Sequence, residues 1–265
     1  MIQTIHPLCI KAIKQSKTRH SEWLMIVVSL TVIWLASLCK ILLASRSPRR
    51  ATFLTSTGEA SCKKNVLLVI AHPDDESMFF TPTINYLTSI RHNIHILCMS
   101  TGNADGIGNI RKEELYQASS ILEVPQNQVK ILDHPNFQDG FGEVWDCDLL
   151  AGIINEEINT NAIDTIITFD RNGVSGHCNH CDVNRGVRLL LRGAFQRELD
   201  AWELVSTNLW RKYSGPIDIW LSKWNAKRCS DKLHCLLNAQ PGKSYIAMAQ
   251  YMSQWAWYAV FTTYF

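Results

Sequence analysis

Two short stretches hold most of the side chains in this chain that can do chemistry together. The first runs Val66-Leu67-Leu68-Val69-Ile70-Ala71-His72-Pro73-Asp74-Asp75-Glu76 and passes directly from aliphatic residues to an imidazole and three carboxylates. Its aliphatic half has the composition of a strand buried on both faces. The five residues after Ala71 are ones an apolar core rejects, and Pro73 disfavours helical backbone at His72. Asp74 and Asp75 then fall where a following helix begins, a position at which Asp commonly caps. The second stretch, Asp170 to Asp182, follows another apolar run, Thr165–Phe169, and brings His177 and His180.

Imidazoles and carboxylates delivered by two strand ends point to a metal site. The simplest assembly holds one Zn²⁺ by His72, Asp75 and His180 and leaves a position for water, the common plan of catalytic zinc. Nitrogen and oxygen ligands accept other divalent ions as well. Such a metal lowers the pKa of its water to about 7 and supplies hydroxide at neutral pH. Asp74, beside a ligand but free, is the candidate to take that water's proton. His177 is the candidate to stabilise an oxyanion or to protonate a leaving amine. A single loop histidine is ordinarily solvated; the conjunction after two separate strands carries the reading. Cys178 and Cys181 form a C-x-x-C interleaved with the histidines, but no second pair completes a structural zinc site, so inert thiols beside the site are expected. Gly173-Val174-Ser175-Gly176 lacks the G-x-S-x-G spacing of a nucleophile elbow. The loop Ser100 to Gly106 lacks a P-loop lysine and is expected to border a substrate pocket.

These residues need a scaffold that brings strand ends together. The pattern predicts strands at Val66–Ile70, Ile94–Met99, Val129–Leu132, Thr165–Phe169 and Leu204–Leu209. Between them it predicts helices at Glu76–Thr88 (with a proper start at Pro82), Ile110–Leu122, Leu149–Ile158 and Val183–Arg197. Arg111 and Glu114 share a face of the second helix. The alternation implies an α/β fold, a Rossmann-like three-layer α/β/α arrangement with a mostly parallel sheet. Such sheets keep their sites beyond the carboxyl ends of the strands.

Charge divides the chain unevenly. Residues 1–64 carry ten Lys/Arg against Glu22 and Glu59, a net +8, and the remainder carries a net −6. A basic leader on an acidic domain argues for a membrane surface and against nucleic acid as partner. Seventeen residues from Trp23 to Cys39 are free of charge, and beyond Lys40 the run continues to Ala44. With Lys40 snorkelling, 23–44 is long enough to cross a bilayer, and Trp23 with Arg46, Arg49 and Arg50 would anchor its ends. A cleaved signal peptide would be shorter, nearer Met1 and followed by a small-residue cleavage site, so an uncleaved anchor is expected. Basic residues on both sides leave its orientation open. The expected organisation is a basic leader (1–22), a transmembrane anchor (23–44), a polar tether (45–64) and one catalytic domain (65–265). Nine scattered cysteines suggest free thiols in a reducing compartment rather than a disulfide framework. The aromatic tail, with Trp255, Trp257, Tyr258 and Phe261, suits either core packing or a membrane interface.

Four segments in order, AHPDDESMFF, STGNADGIGNIRKEEL, FQDGFGEVWD and FDRNGVSGHCNHCDV, resemble the N-acetylglucosaminyl-phosphatidylinositol de-N-acetylases of the PIG-L/LmbE-like family, over about 200 residues from Asn65. The resemblance implies a Rossmann-like fold and metal-dependent removal of acetate from an N-acetylglucosamine linked to phosphatidylinositol, the second step of GPI-anchor biosynthesis. It implies zinc ligands at His72, Asp75 and His180, a general base at Asp74, and His177 assisting the tetrahedral intermediate. Arg111, Glu114 and Asp139 match motif positions expected to contact substrate. It also implies a single-pass endoplasmic-reticulum membrane protein whose catalytic domain faces the cytosol. The family's histidine shortly before Ser-Gln near the C-terminus is replaced here by Tyr251, ahead of Ser253-Gln254. Two alternatives are a deacetylase of a soluble N-acetyl amino sugar conjugate and a catalytically idle membrane subunit. The second has no reason to keep so costly a cluster of carboxylates and imidazoles.

Overall fold

Aliphatic runs form the centre of the molecule. The computed structural model describes residues 7–46, 53–54, 63–140, 142–193, 199–208, 210–211, 214–229 and 232–254. Five parallel strands, β1 (Asn65–Ile70), β2 (Asn93–Cys98), β3 (Val129–Ile131), β4 (Thr165–Phe169) and β5 (Asp200–Leu204), pair in the order β3-β2-β1-β4-β5. The central strands β1 and β4 are covered on both faces, so Val66–Ile70 and all of β4 are buried. That is why both are apolar without alternation.

After the short α2 (Asp75–Phe79) and α3 (Thr81–Ser89), β2 follows; α4 (Gly108–Ile121) leads to β3 and α5 (Cys147–Thr160) to β4. The turn α6 (Gly173–Gly176) and α7 (Cys178–Gly193) precede β5, and α8 (Asp218–Arg228) and α9 (Pro241–Met248) come last. Successive connections β1→β2→β3 run one way across the sheet, and β3→β4→β5 run the other. Right-handed crossovers therefore put α3 and α4 on one face and α5 and α7 on the opposite face. The reversal lies between β1 and β4, and there the carboxyl ends of neighbouring strands leave a crevice.

Three predicted elements are corrected. The helix expected over Glu76–Thr88 is two helices, broken at Phe80, whose buried ring packs on Phe169. The helix expected at Val183–Arg197 begins five residues earlier, at Cys178; Arg197 is outside the described residues. Its first turns are polar and so lack an apolar period, yet Asn179, His180 and Asp182 are buried there by tertiary contacts. The fifth strand is Asp200–Leu204 rather than Leu204–Leu209, and Leu209 is outside the described residues. An edge strand is only half covered, so β5 carries a weak apolar signal.

The long helix α1 spans Pro7–Arg46 and contains an apolar stretch, Arg19–Leu43, long enough to cross a membrane. Side chains from Arg19 to Ala36 are exposed. Of the expected tether only scattered residues are described, and Trp255, Trp257, Tyr258 and Phe261 are outside the described residues. The described cysteines at 39, 98, 147, 178, 181, 229 and 235 carry free thiols.

Candidate active site

The end of β1 folds back on itself through one carboxylate. Asp75 Oδ2 accepts hydrogen bonds from the Ala71 and His72 N–H groups, at 3.0 and 2.8 Å, so the strand end and the start of α2 are locked together. Asp74 occupies the N-cap position of α2 with φ +111°, in the left-handed region, and its side chain makes no capping bond. The expectation that an Asp stands at the helix entry is met in position, but the carboxylate is directed elsewhere.

The end of β4 delivers the second group. The His180 ring stacks on Phe169, centroids 4.1 Å apart and planes nearly parallel, and its Nδ1–H donates to the Gly173 carbonyl at 3.1 Å. Gly173 has φ +55°, and a Cβ there would fall 2.9 Å from that of His180, so the turn depends on glycine. Since Nδ1 donates, Nε2 carries the lone pair of the neutral ring, and it faces Asp75 Oδ1 at 3.1 Å. Two electron-pair donors at that distance require a proton or a cation between them.

His72 has complementary chemistry. Its Nε2–H points at Asp139 Oδ1 (3.1 Å) and Asn179 Oδ1 (3.2 Å), which leaves Nδ1 as the lone-pair atom on the side of Asp75, 3.9 Å from Oδ2. A histidine held by a carboxylate through its far nitrogen is the usual support of a metal ligand. The donor set therefore fits a divalent ion at His72, Asp75 and His180. Among the described residues, His72, His177 and His180 form a group whose nitrogens all lie within 4.8 Å of one another, and Asp75 is not part of that group.

Electrostatics separates the carboxylates. Burial opposes ionisation of Asp75, but His180 and then His72 outweigh it and hold its pKa at about 2. Asp74 is pushed well above the ordinary carboxylate range by burial and by the charge of Asp75, with Arg111 opposing. Burial likewise raises Glu76 to about 7, despite hydrogen bonds from Ser77 and Tyr251. Burial and the neighbouring His180 and His72 lower His177 to about 4, so it is neutral at physiological pH. For His180 the loss of solvent is outweighed by Asp75, and its pKa rises.

The other sequence candidates occupy the surroundings. Arg111 donates to the Gly102 carbonyl (2.8 Å), Asp139 Oδ2 (3.1 Å) and the Pro73 carbonyl (2.8 Å), and lies 3.6 Å from Asp74. It thus ties the loop after β2 to the HPDD turn, and a Cβ at Gly102 would overlap its guanidinium. Arg111→Lys keeps the charge but loses the planar fork. Its expected effect is a fall in kcat of up to about 100-fold through misplacement of Asp74, with metal still bound, read from steady-state rates beside metal content.

Glu114 is buried, and its two oxygens accept from the Ser253 N–H (2.8 Å) and hydroxyl (2.5 Å). It clasps the end of the described chain. Glu114→Ala should cost about 1–3 kcal/mol of stability, seen as a lower Tm, with turnover of the folded enzyme little changed; a collapse of kcat at unchanged Tm would return Glu114 to substrate contact. Tyr251, the departure near the C-terminus, is fully buried and donates its hydroxyl to Glu76 Oε1 at 2.6 Å. Sequence reasoning missed this pair and missed Asn179 beside His72; the odd Tyr251 was the available signal for the first. A cavity of about 950 Å³ beside β5, lined by Trp202, Leu204 and Leu236, contains none of the three histidines. The site is marked by its donors rather than by volume.

Residues 67–191 match the family model described as PIG-L, GlcNAc-PI de-N-acetylase. An N-acetylglucosaminyl-phosphatidylinositol de-N-acetylase of Bos taurus is 39% identical over 193 residues, covering 72% of this chain and 75% of the relative. A probable enzyme of the same name from Dictyostelium discoideum is 34% identical, covering 74% and 86%. In fold, the chain resembles the N,N'-diacetylchitobiose deacetylase of Pyrococcus horikoshii, with a TM-score of 0.50, 13% identity, and coverage of 73% and 71%.

Proposed function

This chain belongs to the GlcNAc-PI de-N-acetylase family, and from that membership we propose that it hydrolyses the N-acetyl amide of N-acetylglucosaminyl-phosphatidylinositol. The products are acetate and glucosaminyl-phosphatidylinositol, in the second step of GPI-anchor biosynthesis. The observation that carries the reading is the convergence of two strand ends at the β1/β4 reversal, where His180 Nε2 faces Asp75 Oδ1 at 3.1 Å and Asp74 stands next in the chain.

A divalent ion, zinc in this reading, held by His72, Asp75 and His180 would supply Lewis acidity toward the amide carbonyl and a water of near-neutral pKa. Asp74 takes the proton of the attacking water as the C–O bond forms and returns it to the amine nitrogen as the C–N bond breaks; burial and the neighbouring Asp75 raise its proton affinity. His177, held neutral, favours donating an N–H to the developing oxyanion over delivering a proton. Asp139 and Asn179 orient His72, and Arg111 holds Asp139 and the Pro73 carbonyl in register.

The enzyme acts from the endoplasmic-reticulum membrane, with the catalytic domain (65–265) on the cytosolic side of a single anchor at 23–44, after a leader (1–22) and before a tether (45–64). The apolar stretch of α1 and the glycolipid in the relatives' names support the membrane placement. Purified full-length protein should release acetate from N-acetylglucosaminyl-phosphatidylinositol, stop when a chelator is added, and resume with Zn²⁺. Release untouched by chelator would remove the metal. Release only from a water-soluble N-acetylglucosamine conjugate would replace the lipid substrate.

A further inference from the structure

Helix α8 carries a surface that water does not explain. At 100° per residue its Ile219, Ser222 and Ala226 share the inner face, and Asp218 is taken up by Arg211 at 2.5 and 2.9 Å. The outer face presents Trp220, Leu221 and Trp224, 45, 48 and 55% exposed, among Lys223, Lys227 and Arg228. No carboxylate lies on that face. Exposed aromatic and aliphatic residues among bases, without acids, offer apolar burial together with attraction to anionic lipid.

The position of α8 is the second observation. Trp220 Nε1 donates to Ser37 Oγ of α1 at 2.8 Å, and Lys40 Nζ stands 3.4 Å over the Trp220 ring. Ser37 is fully buried where α1 meets Trp220 and the turn Gly215–Ile217, while α1 is bare from Arg19 to Ala36. Residues 23–44 extend about 33 Å as helix, close to the thickness of a bilayer's hydrocarbon core. Ser37 and Lys40 fall within the last eight residues of that length, and an ammonium group is expelled from hydrocarbon toward the headgroups. Whatever packs on Ser37 and Lys40 therefore packs at the membrane surface.

We infer that α8 is a second membrane element, lying in the phospholipid headgroup layer with Trp220, Leu221 and Trp224 at the glycerol level and Lys223, Lys227 and Arg228 on lipid phosphates. The inference rests on the reading of α1 as a spanning anchor. Together the two helices hold the catalytic domain at a fixed attitude to the bilayer, which a single tethered anchor would not do.

The test places the photoreactive residue p-benzoylphenylalanine singly at Val28, Leu221, Trp224 or Asn127 in the full chain, reconstituted in phosphatidylcholine–phosphatidylserine vesicles. All four positions are exposed, and Asn127 lies before β3, at the sheet edge opposite β5. After irradiation, mass spectrometry should find phospholipid adducts at 28, 221 and 224 and none at 127. Adducts at 28 without adducts at 221 and 224 overturn the inference and leave the anchor standing. Adducts at 221 and 224 without adducts at 28 support α8 as a membrane element and overturn the anchor. Adducts at none of the three overturn both.

Discussion

Asp74→Asn should reduce acetate release by a factor of about 10²–10⁴ while the purified variant keeps its metal. The amide is isosteric with the carboxylate and cannot accept the proton of water. Asparagine also tolerates the left-handed backbone of this position, where alanine would add strain. Because the Asp74 side chain makes no capping bond, its replacement removes no bond from the start of α2. Asp74→Ala is expected to be equally inactive but less stable. Acetate release and metal content, measured on the same preparation, decide the role. Normal turnover by Asp74→Asn would take this residue out of the mechanism, and joint loss of metal and activity would make it a ligand.

Asp75→Asn should give a folded protein that has lost both its metal and its activity. The asparagine oxygen can still accept from the Ala71 and His72 N–H groups, so the turn at the end of β1 persists. Its NH₂ then points toward His180 Nε2, where it satisfies the lone pair with a neutral hydrogen bond. A cation loses one charged ligand and finds a second ligand already occupied. Supporting residues alone are worth about 10–100-fold in metal affinity, and removal of this carboxylate should exceed about 100-fold on that scale. Metal analysis after dialysis, together with thermal unfolding, separates this from misfolding. His177→Ala is the paired measurement. Were the ion held by His72, His177 and His180 instead, His177→Ala would shed it and Asp75→Asn would retain it.

Much of this was legible in the residues themselves. Val66–Ile70 and Thr165–Phe169 are apolar at every position because both strands are sandwiched between helical layers, and such runs identify central parallel strands without a structure. The abrupt change at His72, and the imidazoles following the other run, marked a candidate site because charged and ring-nitrogen groups are costly wherever they cannot reach a partner or water. The first half-turns of α7 were illegible for the converse reason. Their residues are polar and carry no apolar period, and His180 among them is buried by contact with Phe169, Gly173 and Asp75.

The chemistry of the donors, the two strand ends that bear them and an apolar segment of bilayer length were thus determined by sequence, since each depends on side-chain type and local spacing. The tertiary structure decided what each group faces. It placed Asp139 against His72, committed Glu114 to Ser253 and Tyr251 to Glu76, and set Trp220 on Ser37. The partners in these pairs are separated by 67, 139, 175 and 183 residues, respectively. No local propensity encodes such a meeting; it follows from the strand order and from which helix layer covers which face.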